Sequence, residues 1–224
     1  MNPLSVLRDS AHFFSRNLPF IATLCLPLIA AECLARAIVA SLTDSAHSPA
    51  YELLVGLLFY PLYSAALILY LDARSQGQRP AVRDLLAGSL QLWPVFAVLA
   101  GLTTLLIMLG GALFLPLALY LMVKLAFAEY LLVLRGLSPV QAMRESVLLS
   151  IGHFWSLLAC VLLVIVPLWL LDDWTLQLLG EQPDAIGSLI LDIVNGFLQL
   201  FSTVVLFRCF MLCNQRPTED SHSS

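Results

Sequence analysis

The run PLALYLMVKLAFAEYLLVL (Pro116–Leu134), followed by RGLSPVQAMRESVLL (Arg135–Leu149), decides how this chain is built. Its first half is apolar apart from Lys124 and Glu129 and is long enough to cross a bilayer as a helix. Arg135-Gly136-Leu137 interrupts it. Ser138-Pro139-Val140-Gln141 then starts a new helix, with a hydroxyl at the N-cap, proline at the first helical position and a capping-box glutamine three residues on. The stretch therefore reads as a membrane span, a corner, and a helix lying along the inner membrane face that leads into the next span at Trp155.

The rest of the chain has the same character. Of 224 residues, 60% are apolar and 12% charged, about half the charged fraction of an average soluble domain. Mean hydropathy is +0.89. These values exclude a water-soluble core-and-surface design and predict an all-α integral membrane protein. Arg8, Asp9 and Arg16 are spread through the first residues, and Glu32 and Arg36 interrupt the apolar run after Pro19, so the start does not read as a cleaved signal. Five cysteines (Cys25, Cys33, Cys160, Cys209, Cys213) fall in predicted spans without metal-ligand spacing, and they read as small packing residues.

Working outward, residues 4–18 form an amphipathic helix with Leu4, Leu7, Ala11, Phe14 and Leu18 on one face. Six spans are predicted: about Pro19–Leu42, Leu53–Leu71, Pro94–Leu109, Pro116–Leu134, Phe154–Leu171 and Ile186–Phe207. A second amphipathic helix opens at Pro80, Gly110-Gly111 reads as a tight hairpin, and Asp172-Asp173-Trp174 ends the fifth span. Residues 43–50 read as a polar turn, and 214–224 as a disordered polar tail after a single membrane domain, 1–213.

Orientation follows from charge. One set of loops and ends holds Arg8, Arg16, Arg74, Arg79, Arg83, Arg135, Arg144, Arg208 and Arg216, and the opposite connections hold acids but no Lys or Arg. The positive-inside bias places both termini in the cytoplasm, with Arg8, Arg79, Arg83 and Arg144 at the inner interface.

Three segments align without gaps: Arg8-Asp9 to Leu18-Pro19-Phe20, Arg83-Asp84 to Trp93-Pro94-Val95, and Arg144-Glu145 to Phe154-Trp155-Ser156. Each precedes two spans, which suggests three hairpin units (4–71, 80–134, 138–207), each led by a short cytoplasmic surface helix. Adjacent Arg and acid point about 100° apart on a helix, so they are not partners within it; lipid phosphate or neighbouring loops would take them.

Gly77-Gln78-Arg79, Gln141-Ala142-Met143-Arg144-Glu145-Ser146 and Leu206-Phe207-Arg208-Cys209-Phe210-Met211-Leu212 carry a resemblance over most of residues 5–213. In these motifs the chain resembles the YciC-like family of uncharacterised bacterial inner-membrane proteins. The resemblance implies a six-span protein of the bacterial inner membrane and brings no catalytic residues or cofactor with it.

Ionisable residues inside a membrane are costly and call for an account. At ~1.5 Å per residue from the outer span ends, Glu32 lies ~13 Å deep, Arg36 ~8 Å, Lys124 ~12 Å and Asp192 ~9 Å. Two acids and two bases thus fall at similar depth, and they are expected to form one neutral cluster, although Glu32 and Arg36, four residues apart, also suit each other alone. Ser188, Asp192, Asn195, Gln199 and Ser202 share one face of the sixth span, a polar stripe that should face protein or water. Glu129 is expected near the inner surface, meeting headgroup water or a loop.

No Walker-type loop, HExxH, GxSxG or paired-carboxylate motif is present, and the four histidines are scattered, so neither an enzyme, a metal site nor a nucleic-acid partner is predicted. The leading expectation is a structural or assembly factor in envelope homeostasis, contacting the bilayer and other inner-membrane envelope proteins. The alternative is a small transporter or lipid-handling protein that uses the intramembrane polar cluster.

Overall fold

The computed structural model describes residues 3–42, 49–179 and 185–215. The described residues form helices joined by short turns: α1 (Pro3–Leu42), α2 (Pro49–Ser75), α3 (Val82–Leu113), α4 (Leu115–Leu125), α5 (Ala128–Arg135), α6 (Pro139–Leu149), α7 (Phe154–Leu179) and α8 (Ala185–Gln215). Six stretches are long and apolar enough to cross a membrane: Pro3–Val39, Leu53–Ser75, Val82–Leu113, Leu115–Arg135, Phe154–Leu171 and Gly187–Asn214. The expected loop at 43–48, the acidic residues 180–184 and the tail beyond Gln215 lie outside the described residues.

Helix α2 is the centre. Ser64, Ala65, Ala66, Leu67 and Ile68 are buried in succession, so this part of the helix is covered on every side, while Leu54 and Leu58 nearer its start are exposed. Its neighbours are α1, α3, α5 and α8. Phe96 and Leu99 of α3, Phe127 and Leu131 around α5, and Ile21 and Leu24 of α1 are fully buried in the same core. Leu105, Leu113, Phe114, Leu115, Trp155 and Trp169 are exposed, a surface suited to lipid rather than water.

Several sequence-based boundaries move. The amphipathic segment 4–18 does not form a separate surface helix: it runs into the first span as the single helix α1, through Pro19 and Pro27. The second likewise merges into α3 through Pro94. Proline costs a helix one backbone bond but does not have to end it, and the Thr23 hydroxyl donates to the Pro19 carbonyl at 2.8 Å. In the third segment the separation is real. Gly152, at φ +81°, takes a left-handed conformation between α6 and α7, and the corresponding junctions Leu18-Pro19 and Trp93-Pro94 contain no glycine.

Gly110 and Gly111 do not make the hairpin; α3 runs past them, and the chain turns at Phe114 with Pro116 opening α4. Gly110 serves packing instead, since a Cβ there would lie 2.9 Å from Leu121 Cδ1 across the α3–α4 contact. The fifth apolar span does end at Leu171, where Asp172-Asp173-Trp174 begins, although the helix α7 itself continues to Leu179. The capping box of α6 forms as its sequence predicts, with Ser138 N donating to Gln141 Oε1 at 3.4 Å.

The predicted span 116–134 is broken. α4 stops at Leu125 and α5 starts at Ala128, which frees backbone groups inside the bundle. Ser146, fully buried on α6, satisfies two of them: its Oγ donates to the Lys124 carbonyl at 2.7 Å and accepts from Phe127 N at 3.1 Å. Irregular backbone survives at membrane depth only where protein satisfies it in this way.

Candidate functional site: a carboxylate at a broken span

The break places Glu129 in the first turn of α5, where a negative side chain suits the positive end of the helix dipole. Its carboxylate meets another helix, not the headgroup water or loop that the sequence suggests. It points at α2, where Tyr60 Oη lies 2.8 and 2.9 Å from Oε1 and Oε2 and shares its single proton between them, and Ser64 Oγ donates to Oε2 at 3.3 Å. Among the described residues no cationic side chain lies within ion-pair distance of it. The sequence does hold a signal for this arrangement: Tyr60 and Ser64 stand four apart and share one face of the second span. Only the fold shows which acid they serve.

Tyr60 lines two cavities. A smaller one, of 200 Å³, adjoins Glu129 and is bounded by Thr103, Cys160, Ser202 and Thr203 among apolar side chains. A larger one, of 470 Å³, lies toward the bundle end remote from the termini and includes Glu32, Arg36, Tyr63, Thr104 and Gln199. The stripe on α8 therefore touches both, through Gln199 in one and Ser202 in the other. Tyr130 fixes the α5–α8 contact beside the smaller cavity by donating to the Thr203 carbonyl at 2.8 Å.

The four charges expected to cluster divide. Glu32 is buried and pairs with Arg36 one turn along α1, the local alternative that their spacing allows. Asp192, exposed on α8, lies in electrostatic range of Cys33, next to that pair. Asn195 is half-buried on the same helix. Lys124 stands apart: it is buried, its Nζ sits 5.7 Å from the centre of the Tyr120 ring, and no carboxylate among the described residues pairs with it. Lys124 thus does not bridge spans one and six. The helix that carries it, α4, packs mainly against α3 and also meets α6 and α7.

The arginine-rich ends share one end of the bundle. Asp9 of α1 pairs with Arg208 of α8 at 3.8 Å, and Arg135 holds both Glu145 Oε2 at 3.0 Å and Asn214 Oδ1 at 2.6 Å. So two of the three repeated Arg-acid pairs give their acid to an arginine of another helix, which spacing alone does not specify. Arg8, Arg79, Arg83 and Arg144 are exposed. The described residues contain no group of three His, Cys, Asp or Glu side chains arranged to hold a metal ion, and none of the five cysteines is in a disulfide.

Six apolar spans packed around a shared core define a multi-pass helical membrane protein, whose outer surface contacts the lipid bilayer. No family model matches the chain, and no solved structure matches it.

Proposed function

We propose that this chain is a small, non-enzymatic transport protein of the bacterial inner membrane, with both termini in the cytoplasm, in which Glu129 carries a proton or small cation. One observation carries the reading. A carboxylate without a cationic partner among the described residues sits at the break of a discontinuous span and adjoins a cavity whose mainly apolar wall also carries Thr103, Ser202 and Thr203. Intramembrane acids are expensive and mark ion and proton pathways, and broken helices recur at transporter binding sites. Tyr60, which holds Glu129 and also lines the larger cavity, is placed to link the two spaces. The resemblance to the YciC-like family supports the inner-membrane location, and the arginine bias supports the orientation.

The test needs no substrate. Protein reconstituted in liposomes on a solid-supported membrane is given a pH jump, and charge displacement is recorded. Wild type is expected to give a transient current that Glu129→Gln, reconstituted in equal amount, loses. Equal currents, or none from wild type, overturn the proposal.

A second reading, a structural or assembly role in envelope homeostasis through other inner-membrane proteins, is favoured by a different observation. Helix α6 is tied to the broken span through Ser146, yet Val140, Leu148 and Ile151 on it and beside it, with Trp155 80% exposed, present an apolar face outward. On that reading Glu129→Gln lowers cellular abundance. On the transport reading abundance stays normal.

A further inference from the structure

The largest polar-lined cavity among those described is neither of the two beside Tyr60. It has a volume of 650 Å³ and lies between α1, α2 and α8 at the bundle end that carries the termini. Arg8, Arg16 and Arg208 line it together, with Asp9 as the acid among them. Asp9 engages Arg208 at 3.8 Å, and Arg8 and Arg16 have no ion-pair partner among the described residues. Ser10 also lines it, is 2% exposed, and has a hydroxyl oxygen without a hydrogen-bond partner among the described residues. A buried hydroxyl left this way costs stability unless something fills it. The remaining wall is apolar, with Phe13, Leu71, Phe207 and Met211.

We propose that this cavity binds the phosphate headgroup of an anionic phospholipid from the adjoining leaflet. Arginine forks match phosphate oxygens in paired hydrogen bonds, and three arginines against one aspartate leave an excess of positive charge for an anion. The volume falls in the ~300–1,000 Å³ range of ligand sites. The apolar wall decides the source. A free phosphate would leave the partly exposed Phe13 and Met211 facing water, whereas a lipid covers them with its glycerol and upper acyl carbons. Basic pockets between membrane helices at a cytoplasmic face take such headgroups by the same physics. The site is independent of Glu129 and of the transport reading.

The test is native mass spectrometry of the full chain from micelles doped with equal phosphatidylglycerol and phosphatidylcholine, with glycerol 3-phosphate as a separate arm. Phosphatidylglycerol should be retained over phosphatidylcholine by about tenfold, a preference that the Arg8→Gln/Arg16→Gln double variant loses. Arg79→Gln/Arg83→Gln, outside the cavity, should keep it. Equal retention of both lipids by wild type overturns the proposal without reference to any variant. Retention of glycerol 3-phosphate with no lipid preference overturns the lipid source, and a preference undiminished in a folded Arg8→Gln/Arg16→Gln protein overturns the site.

Discussion

Ser146 on the surface helix α6 donates its hydroxyl to the backbone carbonyl of Lys124, 2.7 Å away in the broken span, and accepts from Phe127 N. This one side chain closes a gap in a transmembrane backbone from outside that helix. Replacing it with alanine leaves a carbonyl and an N–H unsatisfied in the protein interior. Ser146→Ala should lower stability by about 1–3 kcal/mol. Thermal unfolding in detergent reads this directly, and an unchanged midpoint would mean that the break is satisfied in some other way.

Tyr60 and Glu129 should be energetically coupled. Tyr60→Phe removes the hydrogen bond that its hydroxyl shares between the two carboxylate oxygens and should cost about 1.5–3 kcal/mol, as bonds to charged groups do. In a Glu129→Leu background the same change should cost little, and a double-mutant cycle isolates the difference. Additive effects would break the proposed link between the two cavities.

Lys124 offers the opposite expectation. Its side chain is buried, with the ammonium near the Tyr120 ring and no ion-pair partner among the described residues, and isolated buried charge is unfavourable. Lys124→Met should therefore leave the melting temperature unchanged or raise it. A loss of more than about 1 kcal/mol would restore the idea that Lys124 holds other spans together.

Gly152 tests the corner. A Cβ there meets nothing within 4 Å, so the only obstacle to a side chain is φ of +81°. Gly152→Ala should cost about 1 kcal/mol through backbone strain alone. The readout is again the unfolding midpoint, and no shift would show that α6 and α7 accept another junction.

Some of this site is legible before folding. The Glu32–Arg36 pair follows from a spacing of one helical turn. The polar stripe of α8 is visible as a periodicity, and Gln199 and Ser202 do face interior cavities. The partners of Glu129 differ from the sequence expectation because its span is not one unbroken helix. Residues 126 and 127 between α4 and α5 redirect it, and nothing in Ala126-Phe127 announces a break.

By itself the sequence determined the class of the molecule, its apolar spans, the capped start of α6 and the concentration of arginine at one set of ends, because hydropathy, capping and charge bias are local or additive properties of the chain. Tertiary structure alone decided that α1 and α3 run through their prolines, that Ser146 mends the span broken after Leu125, and that Glu129 rather than Lys124 is held by the central helix. Those outcomes depend on which backbone groups a neighbouring helix can satisfy, and that requires the helices to be packed.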